Sequence, residues 1–397
     1  MVKRNNLLIF ILTIGVFGIL NTEMGVIGLL PSIAEHYHVS VSKAGWLVSF
    51  FALAVAVSGP IFPLLFSGIN RKKVMLLVLG VFVLGNIVSI FTSNFTLALV
   101  ARILPAFFHP VYCSLAFTVA AGAVSKEEAP KAVSKVFIGV SAGMVIGVPI
   151  ASFIASAASL QMAMVFFAVV NIMVFIATLL FVPSMPVKER LSYGAQLSVL
   201  KKSMIWLSVV AVILLNSAVF GVYSYLAEYL KTVTNMSPNT ISFMLCIFGG
   251  ANIIGNVVAG KLLTNNAIKS VVSFPFILGA VYILLFLFGQ FSLPMAIITL
   301  IWGILAGIGG NINQYLMMSS APEAPEFANG LFISSCNVGT TFGAAVGGLF
   351  LSQMGTQYVV FVGLLSLVLS FVAILLRNYM IAPTRQLGFP KDNQQFY

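Results

Sequence analysis

Apolar and polar positions alternate along the chain on a long scale: runs of about 20 apolar residues are separated by short clusters of charge, proline, asparagine or serine. A helix rises 1.5 Å per residue, so ~20 such residues cross the ~30 Å hydrocarbon layer of a bilayer. The runs predict twelve helices, over 7–30, 43–66, 74–91, 95–121, 133–156 and 161–182, then 205–230, 238–263, 270–290, 293–318, 327–353 and 357–379. Lys3 and Arg4 precede the first run as they would a signal peptide, but no small-x-small cleavage site follows, so it counts as a span.

Composition agrees with the pattern. Of 397 residues 60% are hydrophobic and 7% charged, and the mean hydropathy is +1.08, which describes an all-α integral membrane protein with no room for a separate soluble domain. The net charge of +11 does not indicate nucleic acid, because the basic residues are dispersed in short loops without interleaved exposed aromatics. They set topology instead: of the 20 lysines and arginines, all but Lys43, Lys231 and Arg102 fall on one face, which places both termini in the cytoplasm. The 3 cysteines, Cys113, Cys246 and Cys336, lie inside apolar runs without metal-type or CxxC spacing. They are expected as small core residues, with no metal and no cofactor.

The longest polar segment, 183–204, carries Lys188, Glu189, Arg190, Lys201 and Lys202 and divides the chain into six-helix halves, 1–182 and 205–380, with a cytoplasmic tail at 381–397. A short amphipathic helix on the inner surface is expected within it. The halves look like repeats. Gly139, Gly143 and Gly147 recur 200 residues later as Gly339, Gly343 and Gly347, and the stretch 63–72 aligns with 260–269 at a shift of 197. Paired halves of this kind are the architecture of a transporter that rocks around a midplane site. The glycine ridges, the first ending at Pro149, permit close helix approach and suit smooth contacts at a rocking interface.

Of the 9 acids, Glu35 falls in an outer loop, Glu127, Glu128, Glu189, Glu323 and Glu326 in inner loops, and Asp392 in the tail. Glu23 and Glu228 remain near hydrocarbon. A carboxylate there costs several kcal/mol unless paired, protonated or facing water, so Glu23 is a candidate proton carrier. Glu228, two residues before the outer end of its helix, is either a second acid or a solvated interfacial one. Arg102 is the one basic residue expected inside a span. At 1.5 Å per residue it and Glu23 lie at similar depths, ~9 and ~10 Å from the outer end, so an ion pair or water-bridged pair is open to them, switching or static. His109 follows Arg102 by seven residues and returns to the same face, where Pro105 and Pro110 are expected to bend the helix. It is either a proton relay or substrate contact, or a packed histidine.

The second half offers amides where the first has charges: Asn216, Asn252, Asn256, Asn311, Asn313, Gln314 and Asn337. With Tyr112 and Tyr223 these are candidates to line a cavity for an uncharged polar substrate. Phe107, Phe108, Tyr225 and Tyr315 are further aromatics with packing or contact roles. No P-loop, nucleotide turn or nucleophile elbow is present, so an enzyme is not indicated.

Thr22-Glu23 with Gly28-Leu29-Leu30-Pro31, Arg102 with His109-Pro110, the ridge ending Gly147-Val148-Pro149, Trp302-Gly303, Gln314, Ala321-Pro322 and Asn337 together resemble the major facilitator superfamily. Within it they resemble the bacterial twelve-helix drug:proton antiporter branch of arabinose-efflux-like, sugar-efflux and purine-efflux pumps. The resemblance implies a monomeric bacterial inner-membrane exporter of a drug, sugar or purine-type compound, driven by protons through alternating access, with Glu23, Arg102 and His109 in proton coupling. A facilitator or uptake carrier with Glu23 binding substrate is the alternative. The family's cytoplasmic gate motif, Gly-x-Leu-x-Asp-Arg-x-Gly-Arg-Lys, is degraded: Pro63 and Ser67 replace its glycine and aspartate, leaving Arg71 and Lys72, and the repeat has Thr264 in place of the acid.

Overall fold

The computed structural model describes residues 2–187 and 192–386. Lys188, Glu189 and Arg190 of the expected linker, and Lys391 and Asp392 of the expected tail, lie outside the described residues. The chain divides into two compact units, Met1–Tyr193 and Gly194–Tyr397.

In the first unit α1, Val2–Gly25, passes into a 3₁₀ turn, Val26–Leu29, and then α2, Leu30–His36. The expected helix thus continues beyond residue 30. Pro31 sits in the first turn of α2, where its missing N–H breaks no helical bond. The run over 43–66 is not one helix but three, α3 Val41–Ala44, α4 Trp46–Ser58 and α5 Phe62–Phe66, because Gly59-Pro60 interrupts the ladder and Pro63 opens the next turn. Helix α6, Arg71–Phe91, begins where the Asn70 side chain accepts from Lys72 N, and α7, Phe95–Gly122, where Asn94 accepts from Leu97 N. Helix α7 carries both Pro105 and Pro110 without interruption. The run over 133–156 splits at Ile146 into α8, Ala129–Val145, and α9, Gly147–Ala157, since Pro149 has no N–H to offer the Val145 carbonyl. Helix α10, Leu160–Phe181, starts at a Ser159 cap.

The second unit follows α11, Tyr193–Leu197, and a 3₁₀ turn, Ser198–Lys201. Its helices are α12 Ser203–Tyr223, α13 Leu226–Thr232, α14 Pro238–Phe288, α15 Ser292–Met318, α16 Pro325–Met354 and α17 Val360–Gln386. The 51-residue α14 is bent at Asn266, whose φ −157° and ψ 84° lie outside helical values. Among the described residues nine helical stretches are long and apolar enough to cross a membrane, the whole of Thr240–Phe288 counting as one of them; Trp46–Ser58 is shorter. The protein is therefore all-helical and multi-pass. Large apolar side chains such as Phe91, Phe153 and Leu293 stand fully outward, as lipid-facing positions must.

The glycine ridges admit the close helix approach expected of them, each within its own unit. In the first unit α1 packs on α8, and a Cβ added to Gly139, Gly143 or Gly147 would lie 2.2 Å from Thr13 O, 2.6 Å from Leu20 Cβ or 2.3 Å from Asn21 Oδ1. In the second α12 packs on α16, with Gly339, Gly343 and Gly347 facing Ile213 O, Ser217 O and Gly221 O at 2.5, 2.6 and 2.6 Å. Each ridge is closed by a helix of its own unit. Backbones that meet this closely leave no room for a side chain, which explains the glycines without a sliding surface.

Two charges are more buried than expected. Arg377, assigned above to the cytoplasmic face, is 3% exposed. Its guanidinium donates to Ser208 Oγ at 2.7 Å, Ser319 Oγ at 2.5 Å, Ser320 Oγ at 3.2 Å and Leu316 O at 3.2 Å. It thereby satisfies the carboxyl end of α15, where a cation is favoured. Arg102 is not the sole buried basic residue. Glu326, assigned to an inner loop, is buried in the first turn of α16, the end of a helix that favours an acid. Of the cysteines Cys113 is buried, Cys336 half-buried and Cys246 exposed, so Cys246 is no core residue.

Candidate functional site

The site in the first unit forms where α1 stops being an α-helix. Carbonyls at such a helix end have lone pairs open to a side-chain donor. Arg102, from α7, is that donor: Nη1 donates to Thr22 O at 2.9 Å and Nη2 to Glu23 O at 2.6 Å, while Nε donates to Leu47 O of α4 at 3.1 Å. Its Cζ lies 5.1 Å from the centre of the Phe51 ring, a cation–π contact in a desolvated place. The expected partnership of Arg102 with Glu23 exists, but through the main chain. The guanidinium fork is committed to three carbonyls and bridges α1, α4 and α7.

The Glu23 carboxylate has another neighbour. Its Oε2 lies 3.2 Å from Nε2 of His109, the side chains being 11% and 7% exposed. The two atoms are at hydrogen-bond length without hydrogen-bond alignment, so Oε2 and His109 Nδ1 are both buried with no partner. Cys113, one turn on, brings its Sγ to 3.6 Å from the same Nε2, and Phe51 meets the imidazole edge-on at 6.2 Å. An acid and an imidazole held this loosely can exchange a proton with little rearrangement.

Around them is a neutral network that the sequence did not single out. The Thr22 hydroxyl donates to Gly18 O at 3.0 Å and accepts from Asn171 Nδ2 at 2.9 Å and Asn86 Nδ2 at 3.4 Å. A cavity of about 20 Å³, room for one water, is lined by Thr22, Asn86, Ser89, Arg102 and Tyr37 among others. The available signal was the isolation of single amides in otherwise apolar helices. Thus residues 22–23 are held from α6, α7 and α10, through the Thr22 hydroxyl and the two carbonyls, while the Glu23 side chain keeps one soft contact.

Most expected cavity residues are occupied with packing. Tyr112 is 0% exposed, and its hydroxyl fills the space a Cβ on Gly15 would need. Asn216 donates to Cys336 O at 2.6 Å and Thr340 Oγ1 at 2.7 Å. Asn311 donates to Asn256 Oδ1 at 2.8 Å, Asn256 approaches Asn252 Oδ1 at 3.5 Å, and Gln314 donates to Asn329 Oδ1 at 3.0 Å. Asn337 bonds Ile333 O one turn back. Interhelical amide bonds of this kind hold membrane helices in register. Tyr223 and Asn252 remain partly exposed. Glu228 occupies the first turn of α13 and is partly exposed. Of the gate pair, Lys72 donates to Leu179 O at 2.9 Å and caps α10, while Asn70 binds Ser184 Oγ at 2.8 Å.

Two helical units, each knit by glycine ridges and buried amides, with an acid–imidazole contact inside the first, define a polytopic membrane protein with a buried titratable pair. The Major Facilitator Superfamily profile matches residues 12–332, and the chain belongs to that family. It is 30% identical over 367 residues to an MFS-type transporter, YtbD, of Bacillus subtilis, covering 91% of this chain and 92% of that one. To the inner membrane transport protein YdhP of Escherichia coli it is 28% identical over 353 residues, covering 89% and 91%. Among solved structures it superposes on the human organic anion transporter MFSD10 with a TM-score of 0.77 at 14% identity, covering 93% of this chain and 99% of that one. The E. coli fucose:proton symporter FucP gives 0.76 at 16%, covering 95% and 98%. The relatives are transporters rather than enzymes, and this chain is a membrane transporter.

Proposed function

We propose that the protein exports a small molecule from the bacterial cytoplasm in exchange for a proton, by alternating access, with Glu23 as the proton carrier and His109 as the group that receives or returns the proton. The observation that carries this reading is the 3.2 Å approach of Glu23 Oε2 to His109 Nε2 in a buried site where Oε2 has no aligned hydrogen bond and Nε2 has only the Cys113 thiol beside it. Arg102 is a positioning residue: it fixes the main chain of residues 22–23 and leaves the carboxylate free to change protonation. The substrate is a drug, sugar or purine-type compound.

The chain crosses the membrane twelve times: α14 supplies two spans on either side of Asn266, and the interrupted α4–α5 pair and α16 supply two more beyond the other long helices. Dispersed lysines and arginines put both termini in the cytoplasm. The name of the E. coli relative supports the inner membrane, and the protein acts as a monomer. Residues 1–182 and 205–380 are its two bundles, with 183–204 the linker and 381–397 the tail.

The test is transport in proteoliposomes with an imposed pH gradient, using labelled drugs, sugars and nucleobases. Glu23→Gln is expected to abolish gradient-driven accumulation. If that variant transports at the wild-type rate and still follows the gradient, Glu23 carries no proton.

A further inference from the structure

The glycine contacts provide a ruler inside each unit. Gly139 meets Thr13 and Gly147 meets Asn21, whereas Gly339 meets Ile213 and Gly347 meets Gly221. Both sides of the contact are displaced by the same 200 residues. On this ruler the place of Glu23 on α1 is taken by Tyr223 on α12, and that of Arg102 by Trp302. Phe51, beneath the Arg102 guanidinium, corresponds to Phe248 at the 197-residue shift of the neighbouring loops. The contacts agree: Phe248 meets Trp302 edge-on with ring centres 5.2 Å apart, and Tyr223 stacks on Phe248 at 4.5 Å and 24°. Where the first unit has an acid, a cation and one ring, the second has three rings.

Core packing alone does not account for Tyr223. Trp302 and Phe248 are buried, but Tyr223 is partly exposed at the last residue of α12, where the helix is interrupted before α13. One turn beyond Phe248 on α14 comes Asn252, also partly exposed. A near-parallel aromatic pair with an amide beside it matches a flat ring with polar edge atoms: stacking takes the face and the amide takes the edge.

We infer that Tyr223, backed by Phe248 and Trp302, is a subsite for a planar heteroaromatic ring of the transported molecule. This rests on the exporter reading for its purpose, while the binding it describes is independent of proton coupling. The second unit's platform fixes the cargo, and the first unit's equivalent place handles the proton.

The protein has 3 tryptophans, and Trp46 and Trp206 are 46% and 53% exposed. Trp46→Phe with Trp206→Phe therefore leaves Trp302 as a reporter in the full chain. Adenine and proflavine, as planar probes, are expected to quench its emission saturably, and arabinose, a saturated ring, is not. Tyr223→Leu is expected to weaken the planar probes roughly tenfold, from the loss of one aromatic contact, while Tyr223→Phe stays within about twofold. No quenching by either planar probe, equal quenching by arabinose, or unchanged affinity in Tyr223→Leu overturns the inference; the first two need no variant at position 223. Glu23→Gln with quenching intact but wild-type proton-driven flux retained would sink Glu23 as the proton carrier and leave the platform standing.

Discussion

Replacing Arg102 by lysine keeps the charge and removes the fork. Arginine donates three hydrogen bonds to main-chain carbonyls, at 2.9, 2.6 and 3.1 Å. An ammonium is a point charge at the end of a flexible stem and cannot reach α1 and α4 in that geometry together. Two bonds are lost. Buried polar contacts between membrane helices are worth about 0.6 kcal/mol on average and about 1.7 at most, so Arg102→Lys should cost about 1–3 kcal/mol. Because the positive charge remains, its attraction to the Glu23 carboxylate remains too. Glu23→Gln should then cost the same in either background, with a coupling below ~0.5 kcal/mol. Wild type, the two single variants and the double variant are compared by detergent-induced unfolding in mixed micelles. A coupling above ~1 kcal/mol would mean that the guanidinium geometry acts on the carboxylate, and the main-chain clamp would be wrong.

Gly139→Ala and Gly339→Ala force a Cβ to within 2.2 and 2.5 Å of a backbone carbonyl; each should destabilise its unit by about 1–3 kcal/mol, seen in the same unfolding assay. Were stability unchanged while transport stopped, the ridges would belong to a moving surface after all. Arg377→Ala strips a partner from two buried hydroxyls, one half-buried hydroxyl and a helix end and should cost about 2–4 kcal/mol, with Arg377→Lys recovering part of it. Lys202 and Glu323 form an ion pair at half-exposed positions, so Lys202→Ala should change stability by less than ~1 kcal/mol and respond to salt. Outside the membrane, the exposed Glu127 carboxyl is held below its ordinary range, first by its own backbone N–H and then by the Ser125 hydroxyl. Ser125→Ala should raise its titration in a carboxyl NMR experiment. The interaction is present above the unfolded-state pKa and fades as pH falls through the depressed one.

Much of the fold was legible because hydrocarbon selects for apolar length and little else, so the spans stand out wherever charge interrupts them. Interruptions by backbone chemistry were harder. Gly59-Pro60, Ile146 before Pro149, and the turn after Gly25 are apolar or neutral, and they vanish in a hydropathy pattern although they end helices. Glu23 and His109 were legible as costly side chains in an apolar setting. That Arg102 serves carbonyls was not, because a sequence shows charges but not which main-chain groups are open to a side-chain donor. Arg377 hid among topology-setting charges for the same reason: its position near a helix end fits solvent as well as it fits the end of α15. Amides such as Asn216 and Asn311 announce polarity in the membrane without saying whether it faces a ligand or another helix.

The three contacts of α8 and the start of α9 with α1 act as teeth at fixed pitch. Thr13, Leu20 and Asn21 oppose Gly139, Gly143 and Gly147, and one inserted residue in an α-helix turns everything beyond it by about 100° and advances it 1.5 Å. A single insertion or deletion between Thr13 and Asn21, or between Gly139 and Gly147, would therefore disengage the teeth beyond it, because only a glycine leaves room for the Thr13 carbonyl, the Leu20 Cβ and the Asn21 amide at these places. These two intervals, and their counterparts 200 residues on, should tolerate conservative replacement far better than any change of length. The loops that join the helices should show the reverse.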